Sequence, residues 1–489
     1  MSDGALMELA SRGKKDSYFI QEPKRTWFGA DYHRRHAAVR QIQIIEPESP
    51  ALFGSWVDIE LPRGGDILKS MDIRIQMPTW LPPEIAAINR VIGYDIQVQS
   101  KEGVFAHFGW TNGIANYLID RWALFADNVQ LAEGWGFFNS WFPDMETTQM
   151  HAPLIHASTG THSGSEQNIQ MNATVPELVF RLPLPGCQVK GDIGLPLCAM
   201  WGQRLYVRLW LKDKSKLVES GALPIAFGGM PRYELCPEPW GGKEIKVRLN
   251  GELQPGLASV TKKEWEVGHP RVYARCTILK VDEGLRSSMQ KMRHQIVFRQ
   301  QQRDDWFIDD ASWNPAATFK KQLEIQGFFQ ALFLGFTSKA RELQNKYRDI
   351  NPPSNPSEGP ANAQDWLQTL ALIVNGEERI GFWPPKKFQQ LANNTQLRRD
   401  VEVALYYLVF GVNPEYEPAG TFNLTRTQKA LLSLQLENIM VDPQVGSRQT
   451  HATLMGLSWN VFDINSGQSR LVYMDEPFYI AIGSGSGTT

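Results

Sequence analysis

The chain has 489 residues, 42% of them hydrophobic and 21% charged, and its 50 Lys and Arg against 52 Asp and Glu leave a net charge of −2. That apolar content fills large cores and excludes a disordered chain, while the near-zero charge supplies no field for phosphate backbones and excludes bulk nucleic-acid binding. The longest nearly unbroken apolar runs, Phe328 to Phe336 and Val403 to Val412, are about half of what a membrane span needs, so no transmembrane segment is expected.

Length alone suggests about three domains of average size. The amino terminus has neither the basic region nor the apolar stretch of a secretory signal, so synthesis in the cytoplasm is expected. Leu6, Met7, Leu9 and Ala10 form one apolar stripe on a short helix ending at Gly13, and residues 1–24 read as an arm that docks on something else. Four cysteines, Cys187, Cys198, Cys236 and Cys276, are far apart without a CxxC pair, and read as buried thiols. Frequent turns (30 Pro, 40 Gly) and 11% aromatic residues describe large β-sandwiches.

From Trp27 onward the pattern is strand after strand. Val57, Ile59 and Leu61 alternate with polar residues, as do Met71, Ile73, Ile75 and Met77 before Pro78. Leu205, Val207, Leu209 and Leu211 share one face, and Ile245, Val247 and Leu249 lead into Asn250-Gly251, a strong turn. Further strands are expected over Val272–Val281, Gln295–Arg299, Phe319–Ile325, Gln330–Thr337, Leu370–Asn375, Val401–Val412 and Leu454–Ile464. Period-2 patterning with one wet face marks antiparallel sheets. Helices are expected over Ile114–Phe125, Ser338–Arg348 and Lys386–Leu391, and exposed surface over the polar segments Glu146–Asn172 and Asn351–Gln364. The Gly/Ser tail, 483–489, carries no fold information.

Candidate catalytic chemistry is sparse in the sequence. His151, His156 and His162 lack a carboxylate partner, and a solvated polar loop explains them better than a metal site would. Asp304, Asp305, Asp309 and Asp310 surround Trp306-Phe307; paired acids beside an aromatic platform would suit a carbohydrate-binding or hydrolysing sandwich if they faced each other across a cleft. Ser163-Gly-Ser165 lacks a nucleophile-elbow pattern, and the sequons at Asn172, Asn393 and Asn423 have no secretory context. No catalytic constellation, metal set or cofactor motif stands out.

Residue order is more telling. A Gly-Leu-rich start (Gly4–Gly13), Asp16-Ser-Tyr-Phe-Ile20, Trp27-Phe28 and Tyr32-His-Arg34-Arg35-His36 come first. Arg63-Gly-Gly65-Asp66-Ile-Leu follows, then Ile114–Trp141 with its tryptophans, Ile278–Met289 containing Asp282, and His294-Gln-Ile-Val297. Asn375-Gly376-Glu-Glu-Arg379, Pro418-Ala-Gly420-Thr-Phe-Asn423-Leu-Thr-Arg426 and Ser458–Ile464 complete the series. In this order the motifs resemble those of the major capsid proteins of nucleocytoplasmic large DNA viruses, the group of phycodnaviruses and iridoviruses.

The resemblance implies an all-β chain of two consecutive eight-stranded antiparallel jelly-roll sandwiches with a short N-terminal helical arm. Expected boundaries are 1–24 for the arm, 25–269 for the first jelly roll with its linker, 270–482 for the second, and 483–489 for the tail. It further implies a homotrimer forming a pseudo-hexagonal capsomer that tiles an icosahedral shell. The implied partners are neighbouring capsomers and minor capsid proteins beneath the shell, with an inner membrane close by, no direct contact with nucleic acid, no cofactor and no enzymatic activity. The motif residues then serve as structural devices: Asn375-Gly376 and Gly420 as turns, Arg34, Arg35 and Arg426 as ties between strand ends or subunits. Departures occur at His33, at Asn465–Leu471, and in the long segment Leu217–Pro270, and they leave open a minor or vertex capsid paralogue.

Overall fold

A computed structural model describes residues 38–79, 95–99, 102–141, 152–161, 169, 175–188, 194–221, 246–253, 268–352, 365–388, 404–411, 420–425, 427, 429–439, 441 and 445–472. Eight strands build a first sandwich: β1 (Ala38–Ile45), β2 (Trp56–Glu60), β3 (Ile67–Gln76), β4 (Ile119–Ala126), β5 (Val129–Trp135), β6 (Leu178–Arg181), β7 (Leu205–Leu211) and β8 (Arg271–Val281). Eight more build a second: β9 (His294–Ile308), β10 (Thr318–Gln322), β11 (Phe328–Ser338), β12 (Leu367–Val374), β13 (Glu377–Trp383), β14 (Tyr406–Val409), β15 (Ala430–Leu436) and β16 (Thr450–Asn465).

The first sandwich has sheet orders β1-β8-β3-β6 and β2-β7-β4-β5. The second has β9-β16-β11-β14 and β10-β15-β12-β13. Adding eight to every number of the first reproduces the second, so one strand topology occurs twice without a detectable repeat in the residues. Every strand pairing is antiparallel. Two four-stranded sheets face to face in this order are a jelly roll.

Alternation dictates the interior, because successive side chains on a strand point to opposite faces. On β3, Met71, Ile73 and Ile75 are buried; on β7, Leu205, Val207, Leu209 and Leu211 are, and they meet Val57 and Ile59 of β2 in one core. Each such side chain contributes about 1.5–3 kcal/mol through burial. Leu332, Leu334, Phe336, Leu370, Leu372, Leu432, Leu434, Ala452 and Leu454 fill the second core.

The chain departs from expectation at the domain boundary. The strand beginning at Arg271, expected to open the second jelly roll, is β8 and pairs with both β1 and β3. Its Val272, Ala274, Cys276 and Ile278 belong to the first core. A jelly roll's last strand lies beside its first, and that non-local pairing leaves no mark in local composition. The second sandwich therefore begins at His294, after α3 (Glu283–Lys291).

Helical expectations also shift. Only Ile114–Leu118 of the first is helical (α1), and Ile119 onward is β4. The second shortens to α4 (Lys339–Leu343), capped by the Ser338 hydroxyl accepting from the Arg341 N–H. Helix α2 (Ala152–Thr159) forms within a segment expected to be exposed polar surface, and its Thr159 is buried. The long insertions of the first sandwich meet each other: Ile96–Gln99 and Phe105–Ala106 form a small sheet with Val247–Leu249 and Glu252–Leu253, and Phe108–Trp110 pairs with Val218–Ser220. Asn250 and Gly251 both have positive φ, as their turn requires. Cys187, Cys198 and Cys276 are buried thiols, and burial pushes the Cys276 thiol up to about 12; Cys236 lies outside the described residues.

Tyr406 shows how the second core is locked. It is fully buried, and its hydroxyl accepts the Trp366 N–H at 3.0 Å, while Trp366 Nε1 donates to the Ile350 carbonyl at 2.6 Å. Tyr406→Phe strands the Trp366 N–H in the core. Urea denaturation is expected to show a loss of about 1–3 kcal/mol; unchanged stability would contradict this account.

Candidate functional site: the junction between the sandwiches and the free edges

Several motif residues, over two hundred positions apart, converge on the connection between the sandwiches. Asp66 is buried; its Oδ2 accepts the Val281 N–H at 2.9 Å, and its Oδ1 lies 3.3 Å from Arg286 Nε on α3. A Cβ on neighbouring Gly65 would stand 2.3 Å from Ile278 Cγ2, so only glycine lets this turn lie against β8. Asp282 caps α3 by accepting the Leu285 N–H at 3.2 Å. At the far end His294 Nε2 donates to the Met289 carbonyl at 2.7 Å. The linker helix is thus held at both ends and from the side.

The remaining motif residues lie apart from it. Asn375 and Gly376, φ 52° and 89°, turn β12 into β13, and Asn375 exchanges hydrogen bonds with the Lys429 backbone. Asn423 lies in a short strand, Phe422–Asn423, paired with β11, and its side chain accepts the Thr425 N–H; Gly420 precedes it at φ 114°. Tyr32, Arg34, Arg35, His36 and Arg426 lie outside the described residues, as do His151 and His162, the arm and the tail.

The carbohydrate-site reading finds no support in the geometry. Trp306 is buried in the second core. Asp304 pairs with Lys321 at 3.2 Å, Asp305 with Arg303 at 2.5 Å, and Asp310 accepts from the Ser447 hydroxyl at 2.7 Å. These acids serve different neighbours rather than one cleft. Among the described residues no group of three or more His, Cys, Asp or Glu is placed to hold a metal, and no helix is long and apolar enough to cross a membrane.

What the residues do build is a dry seam between the sandwiches. Strand β11 is buried on both faces. Phe329, Leu332, Leu334 and Phe336 face the second core, and a bulge between Phe329 and Ala331 turns Ala331 and Phe333 outward. There they meet Phe138, which follows β5 of the first sandwich, together with Tyr407, Met455 and Leu457. Phe138 meets Phe333 edge-on at 5.2 Å, and Phe333 stacks on Tyr407 at 4.5 Å. A Cβ on Gly335 would stand 2.5 Å from Trp141 Cη2, so this glycine seats the Trp141 ring.

Polar groups on the seam are paired across it. The Gln188 side chain donates to the Arg299 carbonyl and accepts the Arg299 N–H, both at 2.7 Å. Asn345 Nδ2 donates to the carbonyls of Ser215 and Val218, and Thr111 donates to the Asn345 carbonyl. Gln203 Oε1 accepts from both the N–H and the hydroxyl of Ser469 at 2.7 Å. Within the second sandwich, Asp463, its side chain fully buried on β16, takes a bidentate pair from Arg293, just before β9, and a third bond from Arg470, and the Arg293 bonds hold its carboxyl below the usual range.

Elsewhere the first strand of each sandwich lies at a sheet edge among the described strands. On β1, Val39, Ile42 and Ile44 are exposed, by 68%, 48% and 65%; on β9, Val297 and Phe307 are, by 49% and 56%. Apolar side chains on an open edge present a ready surface for association.

No family model and no curated protein matches the sequence. Solved structures do match. The chain is similar to the PBCV-1 virus capsid (TM-score 0.66, 14% identity, covering 92% of this chain and 100% of that one). It is also similar to PBCV-1 VP54 fitted into a reconstruction of the virophage Sputnik (TM-score 0.65, 13% identity, covering 92% and 100%). The Faustovirus major capsid protein gives a TM-score of 0.60 at 10% identity, covering 92% and 94%. The fold is the double jelly roll of viral major capsid proteins. The duplicated strand order and the likeness over nearly the whole length of both chains agree.

One seam residue escaped the sequence reading. Glu219 is buried where Val218–Ser220 meets the segment after α4; its Oε2 accepts the Asn112 N–H at 3.0 Å. Burial pushes its carboxyl from 4.5 up to about 7, against the opposing pull of Lys346. A carboxyl raised on folding stabilises least when ionised, so this contribution falls as pH rises from about 4.5 through 7. Glu219→Gln is expected to remove a loss of up to about 3 kcal/mol between pH 4.5 and pH 8, read from urea midpoints along the pH series. A difference between variant and native chain that is independent of pH would contradict it.

Proposed function

We propose that this chain is a structural, non-enzymatic major capsid protein of a large DNA virus, and that three copies associate into a pseudo-hexagonal capsomer of an icosahedral shell. The observation that carries the reading is the same eight-strand topology occurring twice in one chain, with a dry seam holding the two copies side by side. Three such pairs supply six similar walls around a threefold axis, which suits hexagonal tiling. The exposed apolar edges on β1 and β9 sit at equivalent places in the two sandwiches, so each copy offers similar contact surfaces.

In this role the chain resides in the virion after synthesis in the host cytoplasm. It contacts neighbouring capsomers and minor capsid proteins, with a membrane beneath the shell. A net charge of −2 fits a wall that does not touch the genome. The motif residues around α3, Asp66, Asp282 and His294, act as braces that fix one sandwich against the other.

Light scattering on the purified chain during size-exclusion chromatography is expected to report a trimer. Replacing Val39 and Ile44 together by Asp places charge on the β1 edge and is expected to shift the distribution to monomer while circular dichroism stays native. A native chain that remains monomeric at tens of micromolar would contradict the proposal.

A further inference from the structure

Beside the aromatic contact, the seam encloses a cavity of about 610 Å³. Tyr117, Phe137 and Trp141 of the first sandwich and Tyr347 beyond α4 supply aromatic walls. Tyr117 and Tyr347 stack at 5.4 Å, and Trp141 meets Phe137 edge-on at 5.2 Å. Lys212, the residue after β7, reaches into this space. Its backbone is fixed on both sides: the N–H donates to the Leu118 carbonyl at 2.8 Å, and the carbonyl accepts the Gly54 N–H at 3.1 Å. Its side chain is only 18% exposed, and Nζ sits 4.7 Å from the centre of the Tyr347 ring and 3.5 Å from Asp120 on β4. The other carboxylates of the region serve other partners, Glu342 with Lys339 and His451, and Asp305 with Arg303. Burial pushes the Lys212 amine below the usual lysine value of 10.5; Arg303 and Lys216 push the same way, against the pull of Asp120. Burial also pushes the Tyr347 phenol up, so that ring stays neutral. A buried lysine near other cations presents its neutral, nucleophilic form at a lower pH than an exposed one.

We propose that Lys212 is a covalent modification site, whose amine condenses with an aromatic aldehyde held in this cavity. The nitrogen lone pair forms a C–N bond to the carbonyl carbon, and the carbonyl π pair moves onto oxygen. Both amine protons end on that oxygen, which leaves as water when its C–O bond breaks. The product is an imine; nothing is oxidised or reduced. Asp120, 3.5 Å from Nζ, is placed to accept a proton from the nitrogen and return it to the departing oxygen. The rings of Tyr117, Phe137, Trp141 and Tyr347 suit a single-ring ligand, because aromatic faces and edges pack on one another. The modification is stoichiometric, without turnover. It is independent of the shell reading, since its geometry lies within one chain.

Reductive trapping on the full-length native chain tests it. Benzaldehyde is added at limiting concentration with cyanoborohydride, which reduces the imine to a stable benzylamine, and the modified lysines are mapped by peptide mass spectrometry. Lys320, exposed on β10, is the internal reference, and the ratio of the two rates cancels the reagents' own pH dependence. At about pH 7.5 Lys212 is expected to react about tenfold faster than Lys320, the factor that one unit of pKa supplies. The ratio is expected to fall toward about pH 10, as Lys320 also becomes neutral. Excess benzyl alcohol, which has the ring but no carbonyl, is expected to slow Lys212 and leave Lys320 unchanged. A ratio near one, a ratio that does not change with pH, or a Lys212 rate untouched by benzyl alcohol overturns the proposal.

Discussion

The structure depends on covering one apolar sheet face. Strand β11 in the sheet β9-β16-β11-β14 is buried on both faces, and a sandwich by itself can bury only one. The second is buried by Phe138 and its neighbours from the segment that follows β5. Leaving Phe333, Tyr407, Met455 and Leu457 uncovered would forfeit about 1.5–3 kcal/mol for each large side chain. The two sandwiches therefore do not behave as beads on a string. Their relative position is set by packing, then refined by paired polar groups such as Gln188 with the Arg299 backbone.

That constraint explains where the sequence was legible. Strands with one wet face, such as Met71-Ile73-Ile75 or Leu205-Val207-Leu209, announce themselves by alternation because water sits on one side. Phe328–Phe336 shows no alternation, since a second protein layer replaces the water, and only its length argued against a membrane helix. The boundary at Pro270 was misplaced for a related reason. Arg271–Val281 reads as an ordinary strand, and its partners β1 and β3 lie about two hundred residues earlier. Asn375-Gly376 was readable because its turn chemistry is local.

The seam residues divide along the same line. Asp66, Asp282 and His294 stood out in short ordered motifs, and the structure brings them to the linker helix. Glu219 and Asn345 carry no local signal. Each becomes special only when segments far apart in the chain enclose it, so burial rather than spacing defines it. The apolar residues of β1 and β9 are exposed by their place at the sheet margin among the described strands, a position that local composition does not encode.

Taken together, a duplicated topology, a dry seam and the open edges of β1 and β9 among the described strands describe one double-walled unit. A reconstruction of the purified oligomer by electron cryo-microscopy tests this most directly. The account predicts six similar lobes arranged around a threefold axis, with the two lobes of each chain in one fixed relation that matches the seam. Lobes of one chain found at variable separation, or an assembly without threefold symmetry, would contradict it.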